Sequence, residues 1–273
     1  MSVLTGIMTV NQSNEVAFMQ KKIVVFAPHQ DDEILGCYQV IKEQPEQVYV
    51  VFLTNGDYEG RDVAQTRWHE SNRALAHLGV PQDHVIALGY ADTGMKREIS
   101  FLWRLWHGEP QNLIASPVSA HTYHPDGGVE YHQKKWGAHA AYTKLAVLAD
   151  VRAVLEELRP DVIYLPNEDD VHGDHAATPL FVCSALEQIE GYEPVLYRYH
   201  VHGGDDEHWP NRTGDVFGKP FNMEESQWAK RIRIPVDDQA DYLETLKMFV
   251  SQWEDEAYMT AFIKKEQIFY HQK

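Results

Sequence analysis

Two stretches of the chain place histidine and aspartate side chains shortly after an apolar run. The first is HQDDE, residues 29–33, which follows the apolar run 23–27 and a proline. The second is HGDH, residues 172–175, which follows the apolar run 162–165 closely. Imidazole nitrogens and carboxylate oxygens are ligands that proteins offer to zinc. The two stretches therefore predict two halves of one metal site.

A catalytic zinc site has three protein ligands and one position open for water. His29 and Asp32 are three residues apart, so one turn of helix would place both side chains on the same face. His175 then supplies the third ligand, and the predicted cofactor is a divalent cation, Zn²⁺ or Fe²⁺. Asp31 faces elsewhere and can reach a water activated by the metal. It is therefore the candidate general base.

The remaining polar residues of the second stretch are expected to support the site. His172 precedes His175 by three residues and would stay near the metal without binding it. Asp174 could fix the tautomer of His172, as carboxylates commonly do for imidazoles at metal sites. Acidic residues are also favoured at any helix N-terminus. The pairing of each acidic cluster with a histidine at a strand end is what indicates a site here.

The alternation of apolar strands and amphipathic helices predicts how these residues are positioned. We expect an α/β fold, a Rossmann-like doubly wound and mostly parallel sheet with helices on both faces and a C-terminal α/β extension. Predicted strands are 23–27, 47–54, 84–88, 161–166, 194–201 and 229–236; predicted helices are 33–43, 61–78, 98–107, 140–158, 176–189, 237–253 and a last one ending near 270. The first and fourth strands would be neighbours at the topological switch point, where ligands bind in such sheets.

The predicted division of the chain has three parts. Residues 1–21 form an N-terminal extension, 22–200 a Rossmann-like core, and 201–273 an extension packed on that core. The core contains a long inserted loop, 108–136, which carries prolines, glycines and three histidines without a clear period. A loop of this length is more often functional than inert, so we expect a lid that shapes selectivity. Its histidines, which could cap the pocket, are His121, His124 and His132.

The composition excludes several classes of partner. The chain has 273 residues and a net charge of −17, which argues against nucleic acid and anionic membrane surfaces. No apolar run is long enough for a membrane span, and the start of the chain lacks the pattern of a signal peptide. The two cysteines form no disulfide motif. A cytoplasmic protein is the default expectation, and a homo-oligomer remains open.

The motif PHxDDE with Gly36, together with the distal HxDH, resembles the PIG-L/LmbE-like family of zinc-dependent N-deacetylases. The resemblance covers roughly residues 22–186. The family often has proline where this chain has Gln30 and Gly173, and both are spacers between the chemical groups. The resemblance implies zinc bound by His29, Asp32 and His175, with Asp31 as the general base. His172, supported by Asp174, would stabilise the oxyanion or protonate the leaving amine.

The resemblance also implies a substrate site and a reaction. Arg67 and Glu70 match the R-x-x-E of the family and would face the substrate, although Arg67 could equally brace the acidic loop. Asp92 matches, more loosely, an acid that the family uses on sugar hydroxyls. The implied reaction is hydrolysis of an N-acetyl group from a small GlcNAc-type sugar or glycoconjugate.

Two other functions remain open from the sequence. A non-haem iron enzyme could use His29, Asp31 and a distal histidine as a two-His-one-carboxylate site, which would require Asp31 instead of Asp32 as the ligand. A non-catalytic sugar- or metal-binding protein of the same fold is the second. A dinucleotide-binding oxidoreductase is disfavoured, because acidic residues stand where a Gly-rich phosphate loop would be needed.

Overall fold

The centre of the fold is a parallel sheet buried on both faces. The computed structural model describes residues 21–204 and 209–272, and its first strand, β1 (Ile23–Ala27), is buried at every position. Alternate side chains of β1 enter two separate cores, with Val25 in one and Phe26 in the other. This pattern follows from the twofold alternation of a strand. Helices therefore cover both faces, and the predicted doubly wound α/β fold is confirmed.

The strands of the described residues form one sheet in the order β3-β2-β1-β4-β5-β7-β6. Strands β1 to β5 are parallel, and β7 is antiparallel to both β5 and β6. Besides β1, the strand bounds are β2 Val48–Thr54, β3 Val85–Tyr90, β4 Val162–Pro166, β5 Val195–Tyr199, β6 Ile232–Pro235 and β7 Glu266–Gln272. The predicted adjacency of the first and fourth strands is present, because β1 pairs with β4.

The helices of the described residues lie on both sides of this sheet. Their bounds are α1 Asp32–Glu43, α2 Arg61–Leu78, α3 Phe101–His107, α4 Tyr131–Trp136, α5 Lys144–Leu158, α6 Gly173–Leu186, α7 Glu225–Trp228, α8 Gln239–Leu246 and α9 Glu256–Ala261. Residues of α1 and α2 belong to one core, and residues of α5 and α6 to the other. Within the described ranges, no helix has the length and apolar character needed to cross a membrane.

The end of the chain differs from the sequence prediction. A helix was expected to reach residue 270, but α9 ends at Ala261 and the strand β7 follows. Ile268, Phe269 and Tyr270 are all buried, a continuous apolar run that suits a strand covered on both faces. The helix expected over 237–253 is also shorter, since α8 ends at Leu246 and a 3₁₀ turn follows.

These differences change the picture of the region 201–273. Through β7 and β6 this region extends the central sheet itself, so its contact with the core includes backbone pairing as well as side-chain packing. The predicted domain boundaries remain predictions. The proposed N-terminal extension, except for residue 21, lies outside the described residues.

The insertion 108–136 packs against the edge of the sheet near β3. The backbone amide of Tyr123 donates to Gly89 O, and Asn55 Nδ2 donates to Tyr123 O. A Cβ at Gly89 would lie 2.5 Å from Tyr123 O, so the close approach requires glycine there. The segment also contains α4, whose first turn is capped by the side chain of Glu130.

Gly36 provides a test of how tightly α1 packs on the sheet. A Cβ at Gly36 would lie 2.4 Å from Cδ2 of Tyr199, whose ring is fully buried and whose hydroxyl donates to Phe26 O. We expect Gly36→Ala to lower the free energy of unfolding by about 1–3 kcal/mol through overpacking. Helix propensity alone would favour alanine by up to about 1 kcal/mol. Urea unfolding of Gly36→Ala distinguishes the effect of overpacking from that of helix propensity, with Gln65→Ala on the exposed face of α2 as the control. A Gly36→Ala protein of higher stability than the parent would contradict this packing.

Candidate active site

The two polar stretches meet at the carboxyl edge of the sheet. Asp32 begins α1 directly beyond the loop that follows β1, and His175 lies in the first turn of α6 beyond β4. Both strands run in the same direction and pair with each other. Parallel pairing therefore brings together side chains that are 146 residues apart, His29 and His175.

Three side-chain atoms of these loops form a compact triangle. His29 Nδ1 lies 3.3 Å from Asp32 Oδ2 and 3.2 Å from His175 Nε2, and the Asp32 and His175 atoms lie 3.1 Å apart. All three residues are buried. Ligands bound tetrahedrally at about 2.0–2.1 Å lie about 3.3 Å from one another. The triangle therefore has the size of one face of a zinc coordination tetrahedron, and its N, N, O donor set suits that ion.

The second nitrogen of each imidazole in the triangle faces a carboxylate. His175 Nδ1 lies 3.2 Å from Asp170 Oδ2, and His29 Nε2 lies 3.3 Å from Asp174 Oδ2. Contacts of this kind orient metal-binding histidines and increase their basicity. The carboxylate of Asp174 thus points to His29, whereas its backbone amide donates to His172 Nδ1. The expectation that the Asp174 carboxylate fixes the tautomer of His172 does not match this geometry.

Asp170 is a buried residue that the sequence analysis did not select. Its Oδ1 accepts the backbone amide of His172, and its Oδ2 accepts the amides of Val201 and His202 in addition to facing His175. One carboxylate thus connects the loop after β4 with the segment after β5. Its position two residues before His172 was the only indication in the sequence that it belongs to the site. This indication is weak, because an acidic residue in a loop is usually exposed to solvent.

The protonation of the triangle reflects these contacts. Burial acts to raise the pKa of Asp32, but His175 and His29 outweigh it, and the pKa lies well below its usual range. Burial acts to lower the pKa of His175, but Asp32 and Asp170 raise it to about 10. The surrounding carboxylates stabilise protons on the two imidazoles. A cation that binds both imidazoles must therefore displace these protons.

Asp31 is held in an unusual backbone conformation beside the triangle. Its φ is 129°, a region that favours glycine, and such strain concentrates at functional sites. Glu33 Oε2 accepts the backbone amide of Asp31, and Ser71 Oγ donates to Glu33 Oε1. Arg67 donates to Asp31 Oδ2 at 3.2 Å and to Gln30 O at 2.9 Å. Burial raises the pKa of Asp31 above its usual value, and Arg67 opposes this only in part.

The three residues expected to bind substrate have different surroundings. Arg67 and Asp92 line the cavity above the triangle, and Asp92 Oδ2 lies 3.8 Å from His29 Nε2. Glu70 instead accepts hydrogen bonds from the backbone amide and hydroxyl of Ser251 through its two carboxylate oxygens. It is buried and anchors the 3₁₀ turn after α8, so its expected contact with substrate does not match the structure. Ser251 itself lines the cavity.

The cavity has a volume of about 960 Å³, and His29, Asp31, Asp32 and His172 form part of its lining. The rest of its described lining comes mainly from the segments 56–67, 92–99, 201–204 and 251–259, and from Trp209. A cavity of this size accommodates a small-molecule ligand.

The insertion 108–136 does not contribute a described residue to the cavity lining. His121 Nδ1 lies 2.8 Å from Thr122 O, and His124 and His132 face Asp126 and Asp150. The expectation of a lid whose histidines cap the pocket is therefore not met in this structure. The insertion reaches the site indirectly, because the hydroxyl of Tyr123 donates to Asp57, which holds the backbone of Asp92.

His202 is a second residue that the sequence analysis missed. Its Nδ1 lies 2.9 Å from the hydroxyl of Tyr258, and its ring centroid lies 4.8 Å from that of His175. It lines the cavity and, with Asp32 and His175, forms a group that could hold a metal ion. The repeated histidines after the fifth strand, HVHGG at 200–204, were the signal for it.

Asp170 provides a test of how this site is held together. Each buried polar group left without a partner costs about 1–3 kcal/mol. Since three backbone amides depend on its carboxylate, we expect Asp170→Ala to lower the free energy of unfolding by at least about 3 kcal/mol. Asp170→Asn retains one oxygen and should cost less. The neighbouring half-buried Asp169, changed to Ala, is the control, with an expected change within about 0.5 kcal/mol. Equal urea midpoints for the two alanine variants would contradict the role of Asp170.

Comparisons with known proteins agree with this architecture. The model of the family described as PIG-L, GlcNAc-PI de-N-acetylase, matches residues 24–186, more than half of the chain. Sequence comparison with functionally curated proteins finds no match.

Several solved structures are similar over most of both chains. One is N,N'-diacetylchitobiose deacetylase from Pyrococcus horikoshii, with a TM-score of 0.56, 15% identity, and coverage of 92% of this chain and 84% of that chain. The zinc-inhibited form of teicoplanin deacetylase Orf2 has a TM-score of 0.55, 15% identity, and coverage of 92% and 97%. A conserved protein from Thermus thermophilus has a TM-score of 0.54, 18% identity, and coverage of 92% and 94%.

At these identities the solved structures demonstrate a shared fold, and the family itself is established by the match over residues 24–186. That match contains both polar stretches that build the site. The chain belongs to the PIG-L family.

Proposed function

We propose that the chain is a metal-dependent N-deacetylase that removes the acetyl group from a GlcNAc-type sugar or glycoconjugate. The observation that carries the proposal is the triangle of His29 Nδ1, Asp32 Oδ2 and His175 Nε2, with sides of 3.1–3.3 Å, beside a large cavity that His29 and Asp32 line. Membership of the PIG-L family supports the reaction class. Two of the similar structures are deacetylases by name, one of them for diacetylchitobiose.

His29, Asp32 and His175 would hold the cation, with Zn²⁺ as the proposed ion and Fe²⁺ as the alternative. When bound, the cation supplies Lewis acidity, which polarises the acetamide carbonyl and makes water more acidic. Asp170 and Asp174 hold the two imidazoles in orientation through their other ring nitrogens.

Asp31 is the proposed general base: it takes a proton from the attacking water, and this proton passes to the amine nitrogen when the C–N bond breaks. Its carboxylate lies in the cavity lining and is not part of the triangle. The hydrogen bond from Arg67 fixes its orientation, so the role of Arg67 is to position Asp31 as well as to border the substrate. A base near neutrality suits proton transfer at physiological pH, and burial raises the pKa of Asp31 in that direction.

His172 is the proposed donor to the oxyanion. Burial, followed by the nearby His29 and His175, lowers the pKa of His172 well below its usual value, so its ring is neutral. Its Nδ1 accepts the backbone amide of Asp174, and the single ring proton therefore lies on Nε2. An N–H directed at the developing negative charge stabilises the transition state of acyl transfer. Asp92, which also lines the cavity, is proposed to accept a hydrogen bond from a sugar hydroxyl.

The non-haem iron alternative is less well supported by the positions of the two aspartates. That alternative needs Asp31 as a ligand beside the two imidazoles. Asp32 Oδ2 lies within 3.3 Å of both ring nitrogens, whereas Asp31 Oδ2 pairs with Arg67. A non-catalytic binder of the same fold would bind the sugar without releasing acetate, and the assay below separates it from an enzyme.

The two adjacent aspartates should have separable effects on metal and rate. Asp31→Asn preserves shape but cannot accept a proton, so we expect it to retain the metal and to lose activity by about 10²–10⁴-fold. Asp32→Ala removes a ligand, so metal content and activity should fall together. The measurements are metal content by mass spectrometry on the purified proteins and acetate release from GlcNAc conjugates.

Glu70→Gln is the matched control for these carboxylate changes. It alters a buried acid that binds Ser251 outside the triangle, so its metal content should equal that of the parent. The assignment would be refuted by an Asp31→Asn protein without metal beside an Asp32→Ala protein that keeps it.

A further inference from the structure

One side of the cavity mouth is apolar and unusually exposed. Tyr58, Met95 and Ile99 are 60%, 48% and 45% exposed, and all three line the cavity that His29 and Asp32 of the triangle also line. The half-buried Val63 lines it as well. Single exposed apolar residues are ordinary on a protein surface, whereas a group of them bordering a cavity indicates a binding surface. We refer to Tyr58, Val63, Met95 and Ile99 as the apolar wall.

The apolar wall is built around one glycine. A Cβ at Gly94 would lie 3.0 Å from both Tyr58 Cε2 and Ile99 Cδ1, so the two side chains meet over this residue. Its φ of 109° disfavours any other residue there. Glycine thus allows the wall to be continuous, where a side chain would separate Tyr58 from Ile99.

The backbone that carries the apolar wall is fixed to the catalytic region. The amide of Gly94 donates to Asp92 Oδ1, and Met95 O accepts the amide of Gly173 at the start of α6. The hydroxyl of Thr93 donates to Ile99 O. The wall is therefore preorganised relative to His172 and His29, which reduces the ordering cost when a ligand covers it.

Other residues that line the cavity are polar or acidic. Gln252, Glu254 and Asp255 line it beyond Ser251, and Glu254 and Asp255 are exposed. Lys96 is the exposed cation within the described lining, since Arg67 pairs with Asp31. Acidic groups near a ligand repel anions, so a neutral ligand with one apolar part fits these two groups of lining residues best.

We propose that the apolar wall binds an apolar aglycone, so that the preferred substrates are neutral N-acetylated glycosides with an alkyl or aryl substituent. The proposal rests on the deacetylase function and specifies its substrate class. The sugar lies over the metal triangle next to Asp92, and the aglycone extends across Tyr58, Met95 and Ile99 toward the mouth. Apolar contact of this kind contributes to binding in the ground state, so it lowers KM more than it raises kcat.

The test uses a series of N-acetylglucosaminides with methyl, propyl, butyl and hexyl aglycones, and one with a polar oligoether aglycone of hexyl length. Affinities are measured by calorimetry on the metal-loaded Asp31→Asn protein, in which hydrolysis is slow, and acetate release is measured on the parent enzyme. We expect Kd and KM to fall by about two- to threefold per methylene, less than full burial of a methylene would give. The oligoether should bind no better than the methyl glycoside.

Variants of the wall should reduce this dependence on chain length. Ile99→Ser and Met95→Ser are expected to reduce the change in Kd and KM per methylene to about 1.5-fold or less. Leu113→Ser is the matched control, since Leu113 is 71% exposed and does not line this cavity, and it should preserve the full dependence.

The outcomes separate this proposal from the proposed function. Acetate release with no dependence of Kd or KM on chain length would overturn the apolar wall and leave the deacetylase intact. A chain-length dependence of Kd that Ile99→Ser removes, without acetate release from any glycoside by the parent, would support the wall and overturn the deacetylase. An equal effect of Leu113→Ser and Ile99→Ser on that dependence would also overturn the wall.

Discussion

The parallel pairing of β1 with β4 is the constraint on which the site depends. Each strand delivers one polar stretch to the same edge of the sheet, and the pairing register sets their separation. Shifting that register by one residue would move each side chain by more than about 3 Å along the strand. The triangle has sides of 3.1–3.3 Å, so a shift of that size would destroy it. The buried apolar runs of β1 and β4 make such a shift costly, because alternate residues belong to different cores.

Buried carboxylates convert this adjacency into a defined geometry. Asp170 and Asp174 each face one imidazole of the triangle, and both also accept hydrogen bonds from backbone amides. Glu33 and Arg67 act similarly on Asp31, one through its amide and the other through its carboxylate. Buried polar groups of this kind are tolerated in the interior because each has a partner. The acidity of the chain is therefore partly structural, and the strained φ of Asp31 is maintained by its neighbours.

The region after β5 completes the cavity. It supplies His202, Ser251 and Tyr258 to the lining, and Glu70 of α2 anchors it through Ser251. Its strands β7 and β6 extend the central sheet, so this part of the cavity lining belongs to the same sheet that positions the triangle. The apolar wall comes from the loops after β2 and β3 and from the first turn of α2. The cavity is thus bordered by two regions with different chemistry, and in the proposed function this would combine one reaction with a particular aglycone preference.

The sequence by itself determined the fold class, the adjacency of β1 and β4, and which three side chains form the triangle. These predictions rest on local patterns, since an apolar run followed by histidine and aspartate can be recognised without knowing which distant residues it contacts. Tertiary structure decided what depends on distant contacts. From the sequence, Glu70 is a helix acid expected to face substrate, but Ser251, 181 residues away, occupies both its oxygens. Two further differences have the same origin. Residues 251–259 line the cavity instead of 108–136, and the strand β7 stands in place of a helix. Both result from packing between segments far apart in the chain, which the periodicity of the sequence does not encode.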